Sequence, residues 1–104
     1  PWEVIVQRLT HAAQSDMVIC LYNPKSTKRS RQIKEAQSLL LYYRQRKTLV
    51  GIARNVGRQG ETITVTTLGQ MLRHKIDMLT VLIIGNSTTT LCAGAMVTPR
   101  GYKL

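Results

Sequence analysis

Apolar and polar residues alternate along the chain in two periods, and the change from one to the other marks the elements. Trp2, Ile5, Leu9 and Ala12 recur at helical spacing, so residues from Pro1 to about Ser15 are predicted to form a helix. Pro1 suits its first turn, where no amide hydrogen is needed. Met17 to Tyr22 is an unbroken apolar run of strand length, the pattern of a strand buried on both faces, and Asn23-Pro24 turns the chain after it. A helix is expected from about Ser30 to Arg44, with Ile33, Ala36, Leu40 and Tyr43 as its apolar stripe and Arg31 within reach of Glu35.

A second buried strand, Leu49 to Ala53, leads into the glycine-bearing loop Asn55-Val56-Gly57-Arg58-Gln59-Gly60. Thr62 to Thr66 alternates strictly and reads as a strand with one polar-lined face. Thr67 and Gln70 have the spacing of a capping box for a short helix reaching His74. Leu79 to Ile84 is a third buried strand closed by Gly85-Asn86, and the runs on either side of Ala93-Gly94 form a small hairpin. Strands alternating with helices imply one α/β domain over residues 1–104, with a mixed, partly parallel sheet flanked by helices.

Composition adds two constraints. Fifteen Lys and Arg against five Asp and Glu give a net charge of +10, which favours polyanionic partners: nucleic acid, acidic lipid or a polycarboxylate. No apolar run is long enough to span a membrane and no signal peptide is present, so the protein is expected in the cytoplasm, without a membrane partner. Cys20 and Cys92 show no metal-ligand spacing and read as small core residues.

The inventory of reactive groups is thin. His11 and His74 stand alone, and the five carboxylates form no near pair suited to acid–base work. No nucleophile elbow, P-loop or metal-ligand set occurs, so neither catalytic nor metal-binding residues are assigned. In open α/β sheets ligands lodge beyond the carboxyl ends of strands. Here those ends carry Tyr22-Asn23, then Arg54-Asn55-Val56-Gly57, then Gly85-Asn86-Ser87. Asparagine favours turns for its own conformational reasons. Three at strand ends nevertheless make a ligand crevice an even alternative.

An ordered series of blocks carries a resemblance. Leu21-Tyr22-Asn23-Pro24-Lys25-Ser26, Gly51-Ile52-Ala53-Arg54-Asn55-Val56-Gly57-Arg58 and Thr64-Val65-Thr66-Thr67-Leu68-Gly69 are followed by Ile76-Asp77-Met78-Leu79-Thr80, Ile84-Gly85-Asn86-Ser87 and Met96-Val97-Thr98-Pro99-Arg100-Gly101-Tyr102. In that order and spacing they resemble the C-terminal domain of the precorrin-3B C17-methyltransferases, a cobalamin-pathway branch of the tetrapyrrole methyltransferase family. The resemblance implies two α/β domains, usually in a homodimer, with S-adenosylmethionine (SAM) and a tetrapyrrole in the cleft between them. It also implies methylation at C17 coupled to ring contraction.

The family's glycine-rich G-x-G-x-G-D start does not occur here, and the chain opens on Pro1 rather than Met. The 104 residues are therefore expected to supply one wall of the cleft, with the N-terminal domain of the same enzyme as partner, and to be inactive alone. By resemblance, Tyr22, with Asn23 beside it, and Val56 or its neighbour Asn55 meet the SAM adenine, in each case through backbone. Asn86 and Ser87 are placed on the same side. Arg54 and Arg58 border the crevice and would bind the acetate and propionate groups of the substrate, so their replacement should cost more affinity than that of Lys28, Arg29 and Arg31 together. The rival from another class is a basic RNA-binding or ribosome-associated α/β module, with Tyr42 and Tyr43 as stacking rings. No RRM, KH or OB pattern supports it.

Overall fold

The computed structural model describes residues 1–22 and 30–100. Helix α1 (Trp2–Gln14) precedes strand β1 (Ile19–Tyr22). Helix α2 (Ser30–Tyr43) leads to β2 (Leu49–Arg54) and β3 (Thr62–Thr67). A 3₁₀ turn (Met71–Arg73), strand β4 (Thr80–Ile84) and a hairpin of β5 (Thr90–Cys92) and β6 (Ala95–Val97) follow. No helix among the described residues is long and apolar enough to cross a membrane.

The main sheet has the order β1-β4-β2-β3, and every neighbouring pair is antiparallel. This corrects the partly parallel sheet expected from alternating strands and helices. The crossover through α2 does return β2 in the direction of β1, as a strand–helix–strand unit should. However, β4 inserts between them and runs against both. Periodicity reports an element's buried face and carries no information about its neighbours.

The register sorts side chains onto two faces. Ile19, Ile84 and Val50 form one cross-strand row and Leu21, Leu82 and Ile52 the next. These rows meet Leu9 and Ala13 of α1, Ile33, Ala36 and Leu40 of α2, and Leu68, Met71 and Ile76 in a single core. Full burial of side chains such as Leu40, Ile52 and Leu82 contributes about 1.5–3 kcal/mol each. Both helices therefore lie on one face. The opposite face carries the rows Cys20, Ile83, Gly51, Val65 and Tyr22, Val81, Ala53, Ile63. The hairpin covers part of it: Met96 Sδ stands 3.2 Å from the point where a Cβ at Gly51 would be.

Several local expectations change for identifiable reasons. The edge strand β1 is half exposed, so Cys20 and Tyr22 are open to solvent, as is Cys92 in the hairpin. In α1 Ile5 faces outward and Leu9 with Ala13 faces the core. Tyr43 sits at the rim of α2, edge-on to Tyr42 at 4.9 Å between ring centroids. Glu35 accepts a hydrogen bond from Trp2 Nε1 (2.8 Å) and so ties α1 to α2. Thr67 continues β3, and Gln70, with no side-chain capping bond, precedes the 3₁₀ turn in place of the expected capped helix.

Candidate functional site

Because β4 runs against β1 and β2, the strand-end residues singled out above divide between opposite ends of the sheet. Tyr22 pairs with Val81, and Arg54 pairs with Thr80 and Thr62. The carboxyl ends of β1 and β2 thus meet the start of β4. Ile84 pairs with Ile19 and Val50, so Asn86 and Ser87 emerge at the far end, about 15 Å away at the usual rise per residue. Tyr22, Arg54, Asn55, Val56 and Arg58 form one group. Asn86 and Ser87 belong to another, and Asn23 lies outside the described residues.

The first end is apolar and open. Tyr22 is 72% exposed, and Val56, Ile63, Met78 and Leu79 are also exposed there. Tyr22 and Ile63 share a cross-strand row on the hairpin face, while Val56 projects from the loop after β2. Large apolar side chains gathered at one exposed end are the kind of surface that suits a ligand or another domain. The loop itself is held in a defined shape. Asn55 (φ 55°), Gly57 (φ 74°) and Gly60 (φ 82°) adopt left-handed backbone, which costs ordinary residues about 1–2 kcal/mol but suits glycine and is tolerated by asparagine. The Asn55 amide donates to Leu79 O (3.1 Å), the Arg58 amide to Asn55 O (2.9 Å), and Asn55 Nδ2 to Gly60 O (3.4 Å). Among the described residues the backbone N–H and C=O of Val56 have no hydrogen-bond partner.

Arg54 is engaged in an ion pair within the chain. It lies two residues beyond Ile52 and so falls on the helix-covered face, where its Nη2 donates to Asp77 Oδ2 at 2.8 Å. Asp77 Oδ1 accepts from the Leu79 amide (2.9 Å) and from the Thr80 hydroxyl (3.1 Å), while the Asp77 amide donates to the Thr80 hydroxyl (3.0 Å). Thr80 is 1% exposed, so this network is the place where a buried hydroxyl is satisfied. The Arg54 hydrogen bond, then the Leu79 amide, hold the Asp77 carboxyl below its ordinary value. Arg54 is thus bonded within the domain, whereas Arg58 is exposed in the loop after β2.

The far end contains a cavity of about 410 Å³ lined in part by Asp16, Arg44, Lys47, Asn86, Ser87 and Thr89. Most of its polar groups have structural work. Arg44 donates to Gly85 O (2.8 Å), to Ala12 O (3.0 Å) and to Met17 O, which joins the ends of α1 and β4 to the segment entering β1. Burial pushes its pKa down. Ser87 donates to the Asp16 carboxylate through hydroxyl and amide, and the hydroxyl bond first, then the amide bond, lowers that carboxyl's pKa. Asn86 Oδ1 accepts from the Thr88 amide (2.9 Å) and the Thr88 hydroxyl (2.8 Å). Here asparagine does what its turn preference predicts. Among the described residues no group of three or more His, Cys, Asp or Glu could hold a metal ion.

The fold matches part of a known methyltransferase. The crystal structure of the methyltransferase CobJ superposes with a TM-score of 0.82 at 31% identity, covering 95% of this chain and 41% of that one. The domain has a methyltransferase fold. In sequence, the cobalt-factor III methyltransferase of Priestia megaterium is 48% identical over 103 residues, which is 99% of this chain and 19% of the relative. The probable cobalt-factor III C(17)-methyltransferase of Salmonella typhimurium (strain LT2) is 42% identical over 104 residues, 100% of this chain and 43% of the relative. No family profile matches the chain. Over nearly its whole length the chain is therefore similar to one part of longer proteins named as cobalt-factor III methyltransferases. It spans less than half the length of these curated relatives. Neither relative's name supports the RNA-binding alternative.

Proposed function

We propose that this chain forms one wall of a cleft in which a full-length enzyme methylates C17 of a corrin precursor, with SAM as methyl donor and with ring contraction, in cobalamin biosynthesis. The observation that carries the reading is similarity over the whole chain, at 42–48% identity, to proteins named as cobalt-factor III methyltransferases. The structure supplies residues of the right kind for the adenine of SAM at the open end of the sheet. The Tyr22 ring and the Val56 side chain offer apolar surface, and the unpartnered Val56 backbone offers a donor and an acceptor for a purine edge.

SAM brings an already activated methyl group on a sulfonium, so the protein's task is alignment and exclusion of water. A thin inventory of nucleophiles and bases suits that task. In this reading Tyr22, Asn55 and Val56 seat the adenine, and Arg58 attracts the carboxylates of a polycarboxylate tetrapyrrole. Arg54 acts by holding Asp77. Asn86 and Ser87 support the opposite end of the sheet and are not part of the adenine wall. The second wall comes from the N-terminal domain of the same enzyme, and the whole works as a cytoplasmic homodimer.

The test is an assay of the native polypeptide with SAM and either precorrin-3B or cobalt-factor III. The expected result is a product carrying one additional methyl group at C17 together with S-adenosylhomocysteine. SAM left unconsumed with both substrates by a folded protein would contradict the reading.

A further inference from the structure

The residue that fixes the shape of the open end lies outside every block of residues assigned above to SAM or substrate. We propose that Asp77 is a positioning residue for the adenine-seating turn, setting the Asn55–Val56 backbone through Leu79 and Arg54 without touching the ligand. The inference rests on the cofactor reading given above and deepens it.

The geometry forms a closed circuit. Asp77 Oδ1 holds the Leu79 amide at 2.9 Å, and the Leu79 carbonyl in turn accepts from the Asn55 amide at 3.1 Å. Asp77 Oδ2 accepts from Arg54 Nη2 at 2.8 Å, and Arg54 is the chain neighbour of Asn55. One carboxylate therefore grips Arg54 directly, at the last residue of β2, and reaches the next residue through a single intervening carbonyl. It also donates nothing and accepts from three different groups, which only an ionised carboxylate does well. Asn55 needs this restraint because it sits at φ 55°, a conformation with competitors at negative φ. Releasing the circuit lets the turn sample them, and a ligand's apparent affinity falls by the fraction of time that the seating conformation is lost. Thr80 completes the circuit by locking Asp77 from the core side, with its buried hydroxyl donating to Oδ1 and accepting from the Asp77 amide.

The experiment uses the native polypeptide, with S-adenosylhomocysteine binding by calorimetry and steady-state kcat and KM for SAM. Asp77→Ala is expected to weaken S-adenosylhomocysteine binding and raise KM for SAM about tenfold, corresponding to a turn correctly placed roughly a tenth of the time, with kcat within about twofold. Asp77→Asn keeps acceptors for Leu79 and Thr80 but loses the charge facing Arg54, and about a threefold effect is expected; it decides the matter if the alanine variant does not fold. Ile33→Val, which loosens the core beneath α2, is expected to lower thermal stability with KM unchanged. Wild-type affinity and KM in folded Asp77→Ala, or in Asp77→Asn where alanine does not fold, overturns the inference alone. A loss confined to kcat does the same. A wild-type protein that does not bind S-adenosylhomocysteine overturns the cofactor reading and this inference with it.

Discussion

The two ends of the four-stranded sheet share a chemistry and differ in what they do with it. Each has an asparagine just past a strand, a carboxylate accepting from hydroxyl and amide donors, and an arginine that bonds within the domain. At the far end these groups close on one another: Arg44 satisfies three carbonyls, Asp16 holds Ser87, and Asn86 folds back on Thr88. At the open end the circuit of Arg54, Asp77 and Leu79 sits behind the surface. In front it leaves a turn with spare backbone groups and an exposed apolar rim of Tyr22, Val56 and Ile63. The far end spends most of its polar groups on its own chain, although Arg44 Nε stays buried without a partner, whereas the open end presents a rigid turn with unused backbone groups.

The largest effect that would sharpen this contrast is at Arg44. Arg44→Ala removes hydrogen bonds to three carbonyls that join the ends of α1 and β4 to the segment entering β1, and about 3 kcal/mol of stability should be lost in chemical denaturation, without change in S-adenosylhomocysteine affinity while the protein is folded. The converse holds for Val56→Glu at the open end. Val56 is 54% exposed, so stability should move by less than about 0.5 kcal/mol. A buried charge against adenine should cost about tenfold or more in affinity by calorimetry. A Val56 variant that destabilises without losing affinity would break the comparison.

Asn86→Ala should cost about 1 kcal/mol through the lost turn bonds and leave ligand binding alone, which equilibrium unfolding and calorimetry check together. The smallest effect concerns pH. Asp16 and Asp77 both have folded-state pKa values below the unfolded ones, so each favours the folded form above the ordinary carboxylate value. That contribution is lost as pH falls through the folded value. Thermal unfolding should therefore show stability declining below about pH 4, with a shallower decline in Asp16→Asn and in Asp77→Asn.

Much of the architecture was legible because burial imposes a period. The apolar runs at Leu49 to Ala53 and Leu79 to Ile84 are central strands, and the Ile33, Ala36, Leu40 stripe is the buried face of α2. The order of strands was not legible, since a run such as Val81 to Ile84 looks the same whether its neighbours are parallel or antiparallel. That gap grouped Asn86 with Asn55, although the two lie at opposite ends. The ion pair of Arg54 was not legible for a related reason: its partner Asp77 is distant in sequence, and charge alone does not show which cation is paired. A local signal for Asp77 did exist, because an Asp three residues before a Thr at a strand start is a turn-forming pattern. Tyr22 was correctly placed at a strand end, but its exposure depends on β1 being an edge strand.

The central claim is that the open end of the sheet, and not the far cavity, seats the adenine of SAM. A crystal structure of the native polypeptide with S-adenosylhomocysteine tests it directly. The account predicts the adenine against Tyr22, with the Val56 backbone hydrogen-bonded to its edge. Adenine lying in the cavity between Arg44 and Asn86, or on another domain without contact to residues 54–58, would contradict it.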